Sequence, residues 1–302
     1  MYNKALDVWQ IHTSTGKEVW EIALEKDIEN TGLGREELLE KLRKTLQVMR
    51  ESAYKGLDEA VYSLSGITGG NGKRLNDYKN EAVSGTVMSR AMAMALSVAE
   101  VNASMGRIVA APTAGASGIL PAVLFTMQEQ YNYSDEELLK ALITAGVIGQ
   151  IIAQNASISG AEGGCQAECG SAAAMGAAAI CYLKGYDLHV SFAASAFAIK
   201  NVLGLVCDPI CGLVEYPCNL RNANGVVNAI VSADLAMAGV PCLIPLDETI
   251  DAMRRVGGSL PEALRETALG GVAATPAAKS IEAAWRNSSE STCETKCGGA
   301  CH

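Results

Sequence analysis

The chain has 302 residues, enough to bury a sizeable core in one large domain or two small ones. Its composition is 49% hydrophobic but only 5% aromatic, which predicts a core built from Ala, Val, Leu and Ile. The formal charge is −9 with no basic blocks, which argues against nucleic acid or an anionic membrane surface as a partner, because both require clustered Lys and Arg.

The first residues, MYNKALD, lack the apolar segment of a secretory signal peptide, so we expect a cytoplasmic protein. That compartment is reducing, and stable disulfides are rare in it. The ten cysteines are therefore expected to bind metal or to take part in thiol chemistry.

Residues 1–60 are predicted to form a helical lead-in. Leu and Met recur at three- and four-residue intervals over residues 35–49, which predicts an amphipathic helix. We expect a second helix to run through residues 60–64 and to end at the glycine-rich segment 65–72.

Later helices are indicated by their ends. Three starts are marked by capping patterns: Ser134 with Glu137, Ser259 with Glu262, and Thr275 with Pro276. The pair Gly257 and Gly258 predicts the end of the helix before the second of these starts.

One uncharged stretch, residues 141–161, is long enough to span a bilayer, but it is interrupted by polar side chains that include Gln150, Gln154, Asn155, Ser157 and Ser159. We therefore predict a buried helix there and no membrane span. The sequence contains no convincing series of alternating strands, and residues 225–231 are ambiguous. The predicted fold class is all-α, with Gly/Pro/Cys-rich loops between the helices.

Three loops combine glycine, proline, small hydroxyls and cysteine. In residues 111–118 the glycines free backbone N–H groups, and Thr113 and Ser117 add hydroxyls, which suits a small carboxylate or phosphate. The alternative is a tight connection between helices. The loops 155–169 and 207–219 contain five cysteines but no Cys-x-x-Cys pair. Such spacing fits a metal site assembled from distant loops, whereas the alternative for any one cysteine is a small buried hydrophobe.

These segments together resemble those of the α-chains of iron–sulfur-dependent L-serine dehydratases. The runs that carry the resemblance are SGITGG (65–70), APTAGASGILPAVL (111–124), NASISGAEGGCQAECG (155–170), GLVCDPICGLVEYPC (204–218), RNANGVVNA (221–229) and ETALGGVAATPAAK (266–279). The resemblance covers roughly residues 60–286. It implies a catalytic domain at 61–286, preceded by the lead-in and followed by a Cys-rich tail at 287–302.

The resemblance also implies a lyase that converts L-serine to pyruvate and ammonia, in amino-acid degradation and gluconeogenesis. It implies an oxygen-sensitive [4Fe–4S] cluster held by Cys165, Cys207 and Cys218, with one iron left open as a Lewis acid. A separate β-subunit is the implied partner. We expect Thr113, Ser117, Asn155 and Ser157 to bind the substrate.

The other cysteines receive different interpretations. Cys169 and Cys211 are expected to lie beside the cluster or to be incidental, whereas apolar neighbours place Cys181 and Cys242 in the core. In the tail, Cys293, Cys297 and Cys301 have three open interpretations: a mobile thiol ligand for the open iron, a separate metal clip, or a disordered end.

The general base is unassigned. Lys73 and Lys200 are candidates, each against the alternative of an ordinary solvated lysine. Three other functions stay open: a pyridoxal-phosphate enzyme with Lys73 or Lys79 as the Schiff base, a cysteine desulfidase that uses the same cluster, and a non-catalytic metal-binding or regulatory subunit. The pyridoxal enzyme would need alternating strands and helices.

Overall fold

The computed structural model describes residues 2–297, and of residues 288–297 it describes the backbone alone. The α-helices are α1 (Ala5–Thr15), α2 (Val19–Thr31), α3 (Arg35–Asp58), α4 (Asn71–Tyr78), α5 (Thr86–Ala103), α6 (Ile119–Tyr131), α7 (Asp135–Asn155), α8 (Gly160–Gly163), α9 (Ser171–Leu183), α10 (Leu188–Lys200), α11 (Cys218–Met237), α12 (Leu246–Ser259) and α13 (Pro276–Cys297). A π-helix spans Gln166–Gly170, and short 3₁₀ helices span Ile210–Gly212, Glu262–Leu264 and Gly271–Ala274.

The all-α prediction is confirmed. Within residues 2–297 the only β-type pairings are two isolated bridges, Tyr62 with Gly69 and Cys207 with Arg265. The ambiguous residues 225–231 are helical, inside α11. The alternation of strands and helices that a pyridoxal-phosphate fold requires is therefore missing from this part of the chain.

Helix α9 lies at the centre of the core. Twelve of its residues are buried, because its sequence SAAAMGAAAICYL is apolar on all sides. It packs against α6, α7, α10 and α11. A Cβ on Gly176 would lie 3.0 Å from Val123 Cγ2 and 3.2 Å from the Ala229 Cβ, so small side chains allow α9 to approach α6 and α11 closely.

The uncharged stretch that begins at residue 141 lies mostly in α7, a buried helix that packs against α2 and α9. Its predicted start is confirmed, since Ser134 Oγ accepts a hydrogen bond from the Glu137 N–H and the Glu137 carboxylate accepts one from the Ser134 N–H. Among the residues described, we find no helix with the length and apolar character needed to cross a bilayer.

Two predicted helix boundaries in the first third are wrong. The helix expected at 35–49 continues to Asp58 as α3, and residues 60–64 are not helical. The chain instead folds back on itself: Ser63 N–H donates to Thr68 O, and Gly70 N–H donates to Val61 O. Gly66, Gly69 and Gly70 have positive φ and make this turn possible, so these backbone groups pair across it and not along a helix.

The prediction around Ser259 is also wrong. Ser259 is the last residue of α12, and its hydroxyl donates to Arg255 O, so it does not cap a new helix. Gly257 and Gly258 lie inside α12. Gly257 is needed there for contact, because a Cβ on it would lie 2.8 Å from Gly163 Cα in α8. The predicted start at Thr275 and Pro276 is confirmed by α13.

The N-terminal helices share the core of the rest of the chain. Val8, Met49 and Leu57 belong to the same buried cluster as α9, and the Asp247 carboxylate of α12 accepts hydrogen bonds from the first N–H groups of α1. The boundary at residue 60 stays a prediction. At the other end α13 continues past the predicted boundary at 286. The side chains of Cys293 and Cys297, and all of Cys301 and His302, lie outside the described residues.

Candidate active site

Three segments that are distant in sequence bring cysteines together in the interior. Cys165 lies just before the π-helix, Cys207 lies in the segment after α10, and Cys218 begins α11. Their side chains are only 2%, 2% and 7% exposed. Burial raises the pKa of the Cys207 thiol, and it raises the pKa of the Cys218 thiol to about 12. The charges of the neighbouring thiols act in the same direction. We call these three residues and Cys169 the thiol site.

Backbone and amide hydrogen bonds fix the first two cysteines. Next to Cys165, the Gln166 side-chain amide donates to Gly163 O and Met253 O and accepts from the Gly204 N–H. The Cys207 N–H donates to Leu264 O, and its carbonyl accepts from the Glu266 N–H. The segment after α12 therefore holds the backbone of Cys207 in place.

Asn222 fixes the third cysteine to the loop 111–118. Its side-chain amide donates to Cys218 O and to Gly115 O, and its side-chain oxygen accepts from the Gly118 N–H. The side chain is 1% exposed. The start of α11 and the start of α6 are therefore held together by a fully used amide.

Arg221 is a cation beside the thiols that the sequence analysis did not select. Its Nη2 donates to Asp208 Oδ1 at 2.6 Å, and Asp208 Oδ2 accepts the Val272 N–H at 2.6 Å. The Arg221 charge helps to lower the pKa of Cys165. Arg221 Nη1 is buried and has no hydrogen-bond partner. A cation three residues after Cys218 in a helix lies on the same face as that cysteine, and this spacing is the signal that could have identified it.

Glu168 is the second charged group that the sequence analysis missed. Its Oε1 accepts a hydrogen bond from Thr113 Oγ1 at 2.7 Å. Burial raises the pKa of its carboxyl group, while the Thr113 hydroxyl and the Arg221 charge oppose that rise. Gly115 and Gly160 pack against it, because a Cβ on either glycine would lie about 3 Å from a carboxylate oxygen, at 3.1 and 2.8 Å. Thr113 thus contacts the site through Glu168.

Cys169 lies one helical turn after Cys165, with its Sγ 3.3 Å from the Cys165 Sγ. The contact with Cys169 lowers the pKa of Cys165, and the same contact together with burial raises the pKa of Cys169. Cys169 is therefore in direct contact with a predicted ligand. Cys211 is only partly buried, at a positive φ.

The two cysteines predicted for the core behave differently. Cys181 is fully buried in α9, as expected. The prediction for Cys242 is wrong, since this residue is only partly buried. It lies between two prolines in a loop where Leu243 is 84% exposed, and its thiol donates to Ile244 O. Cys242 therefore packs against the edge of the core and is not enclosed by it.

The remaining predicted substrate residues bind their own neighbours. Ser117 is buried and its hydroxyl donates to Ala114 O within the loop 111–118. Asn155 donates to Asn3 O and Ile151 O, and Ser157 donates to Glu162. Neither Asn155 nor Ser157 forms a hydrogen bond with the thiol site, so their substrate role stays a prediction.

The two candidate bases have partners elsewhere. Lys73 forms an ion pair with Asp77 on the surface of α4 at 2.9 Å. Lys200 donates to Ile244 O and contacts the Cys242 thiol. Neither lysine hydrogen-bonds to Glu168, Arg221 or a cysteine of the thiol site, and their catalytic role stays a prediction.

The donor set can be tested against the implied cluster. Within the described residues no group of three or more His, Cys, Asp or Glu side chains could hold a metal ion. A [4Fe–4S] cluster makes a different demand, because each thiolate binds a different iron and the sulfurs need not meet at one point. Three buried thiols from separate loops, with an unpaired guanidinium N–H beside them, fit such an anionic group.

Comparison with known proteins places these features in one family. Residues 14–273 match the family described as "Serine dehydratase alpha chain". The chain is 47% identical to the "L-serine dehydratase, alpha chain" of Peptoniphilus asaccharolyticus, over 93% of this chain and 97% of that protein. It is 46% identical to the "Probable L-serine dehydratase, alpha chain" of Bacillus subtilis, over 87% and 88%. The "L-serine dehydratase" of Mycobacterium tuberculosis is 43% identical over 63% of this chain but only 42% of its own length.

Proposed function

Because this chain belongs to the serine dehydratase alpha chain family, we propose that it is the catalytic subunit of an L-serine dehydratase. The reaction eliminates water from L-serine: the Cα proton and the hydroxyl leave, and aminoacrylate forms. Aminoacrylate tautomerises to an imine, which water hydrolyses to pyruvate and ammonia. The observation that carries the proposal is the convergence of Cys165, Cys207 and Cys218 in one buried site.

In this proposal the three cysteines hold a [4Fe–4S] cluster. When bound, the cluster would supply a Lewis-acidic iron that makes the serine hydroxyl a better leaving group. The chain's own groups prepare the place for it. Arg221 offers a positive charge to the thiolates, and Asp208 holds Arg221 in position. Thr113 holds Glu168, whose other oxygen lies near Cys207.

The surrounding protein excludes water from this chemistry. Cys165, Cys169 and Cys207 lie in a small apolar cluster with Ala116, Ile119 and Ala172, all three of which are fully buried. Exclusion of water strengthens each charge interaction inside the site. The cysteines with described side chains are all free thiols, which agrees with our proposal of a reducing, cytoplasmic setting.

We also propose that a separate β-subunit completes the enzyme. The relatives from P. asaccharolyticus and B. subtilis carry the term "alpha chain", whereas the relative from M. tuberculosis matches this chain over less than half of its own length. The unmatched part of that longer protein would correspond to a second chain here. The β-subunit is then expected to raise turnover when the two chains are expressed together.

The test is anaerobic turnover by the co-purified chains. We expect pyruvate from L-serine, measured by coupling to lactate dehydrogenase, and slower release of sulfide from L-cysteine. Faster turnover of cysteine would make the protein a desulfidase. No product from serine, threonine or cysteine in an iron-loaded complex would make the chain a non-catalytic subunit and contradict the proposal.

A further inference from the structure

A cation and a carboxylate near the thiols, Arg221 and Glu168, have hydrogen-bonding capacity that is incompletely used. Arg221 Nη1 is buried without a partner, although its Nη2 is bound to Asp208. Glu168 uses Oε1 to accept from Thr113, and no hydrogen bond to its Oε2 occurs among the described residues. An unpaired buried donor lowers the stability of a fold, so its presence points to a role in binding.

The two groups are arranged independently of one another. Arg221 projects from α11 and is held by Asp208, whose second oxygen accepts the Val272 N–H. Glu168 projects from the π-helix, a type of helix that is frequent at functional sites, and is held by Thr113 from the loop 111–118. Both lie close to Cys207: Arg221 is paired with Asp208, the next residue in the chain, and a Cβ on Gly160 would lie 2.8 Å from Glu168 Oε2 and 2.9 Å from Cys207 Sγ. The cation and the carboxylate are therefore both placed beside the same part of the thiol site.

The proposed substrate has the complementary charges. At neutral pH an α-amino acid carries a carboxylate and an ammonium group on the same carbon. A guanidinium is suited to bind a carboxylate with more than one N–H, and a buried carboxylate is suited to an ammonium group. Each substrate charge would offset the desolvation of the protein group that faces it.

We propose that Arg221 binds the carboxylate and Glu168 the ammonium group of the amino-acid substrate, with Thr113 and Asp208 as positioning residues. This inference rests on the proposed function. It assigns selectivity to the pair: a hydroxy acid without an amine would use only Arg221, and an amino alcohol without a carboxylate would use only Glu168. Glu266 is another carboxylate near the thiols, but it lies outside the π-helix, at a position with positive φ. It therefore serves as a comparison for the role of Glu168 in binding.

The experiment measures binding and does not depend on turnover. Anaerobic, iron-loaded complex is titrated calorimetrically with 3-hydroxypropanoate, which lacks the amine, and with ethanolamine, which lacks the carboxylate. We expect Arg221→Gln to weaken the affinity for 3-hydroxypropanoate at least tenfold, which is equivalent to about 1.4 kcal/mol. The same variant should change the affinity for ethanolamine less than twofold. Glu168→Gln should do the reverse. Neither affinity should change by more than twofold in the control variants Arg254→Gln, Glu162→Gln and Glu266→Gln.

Iron content and the visible spectrum of each variant separate a role in substrate binding from a role in holding the cluster. Arg221→Lys keeps the charge and should keep the iron, with 3-hydroxypropanoate affinity between those of the wild type and Arg221→Gln. If both Arg221 variants lose iron, Arg221 serves the cluster and the inference is wrong. It is equally wrong if iron-loaded variants bind both probes as the wild type does. Absence of serine turnover and of probe binding in the wild type would instead reject the proposed function.

Discussion

Gly160 lies where two reactive groups of the site come closest to the backbone. An added Cβ would lie 2.8 Å from Glu168 Oε2 and 2.9 Å from Cys207 Sγ. Neither neighbour can move freely, because Thr113 holds the carboxylate and two backbone hydrogen bonds hold Cys207. The backbone of Gly160 itself has helical geometry that alanine adopts without strain.

Gly160→Ala is therefore expected to damage the site and not the fold. We predict that anaerobic protein will bind less than half of the wild-type iron and lose at least tenfold in serine turnover, while its thermal midpoint changes by only a few degrees. Gly258→Ala is the matched control, because no atom lies within 4 Å of the Cβ it would add. Gly160→Ala with full iron and full turnover would show that this contact is not restrictive.

At the residue scale the sequence predicted some groups and missed others for a physical reason. Cys165, Cys207 and Cys218 could be selected because a rare residue type recurs in loops that resemble known motifs. Arg221 and Glu168 were missed, because charged residues are common and most lie in solvent, and the spacing of Arg221 from Cys218 is a weak signal by itself. Only the tertiary structure shows that both are turned toward the thiols. Cys242 was misassigned because apolar neighbours in sequence do not require burial.

At the scale of elements, local signals were reliable where the chain itself supplies the hydrogen bonds. The capping box of α7 and the proline start of α13 depend on neighbouring residues and were predicted correctly. The ends of α3 and α12 were not, because each is decided by a distant contact or a glycine turn. Gly257 stays inside α12 since it packs on Gly163, and no local rule contains that contact.

The capping box also predicts a pH-dependent contribution to stability. The Ser134 hydroxyl and N–H hydrogen-bond to the Glu137 carboxylate and lower its pKa in the folded protein. A carboxyl group with a lowered folded pKa stabilises the fold above its unfolded pKa, near 4.3, and this contribution is lost as the pH falls through the folded value. Ser134→Ala removes the cap and the hydroxyl donor together.

We therefore expect Ser134→Ala to lower the free energy of unfolding by about 1 kcal/mol at pH 7, with the difference from wild type narrowing below about pH 4. Urea unfolding of cluster-free protein at pH 7 and at pH 3.5 measures this difference in the free energy of unfolding. Ser280→Ala, an exposed serine inside α13, is the control and should change stability by less than about 0.5 kcal/mol. An equal loss of unfolding free energy at pH 7 and at pH 3.5 would contradict the proposed contribution of the Glu137 charge.

At the scale of the whole molecule, one helical core serves to place loops. The Ala-rich α9 allows close packing of α6 and α11 around it, and the thiol site lies at the adjoining ends of these helices. The fold class was predictable from the absence of strand periodicity and the abundance of helix signals. The packing of α1 and α2 into the same core was not, because amphipathic helices do not indicate which partner they bury against.

The central claim is that Cys165, Cys207 and Cys218 hold a [4Fe–4S] cluster in this helical framework. A ligand cysteine cannot be replaced by serine without loss of a metal bond, whereas a core cysteine can be shortened at a cost of about 1 kcal/mol. Cys181 is the matched control because it is fully buried in α9, among apolar neighbours of the core.

The decisive measurement is iron per chain, with the visible absorption spectrum, for anaerobically purified wild type and for single variants. The wild type should be brown with about four irons per chain. Cys165→Ser, Cys207→Ser and Cys218→Ser should each lose most of the iron and nearly all serine turnover, while Cys181→Ala should keep both. A colourless, iron-free wild type that turns over serine, or a Cys218→Ser variant with full iron and normal turnover, would contradict the assignment.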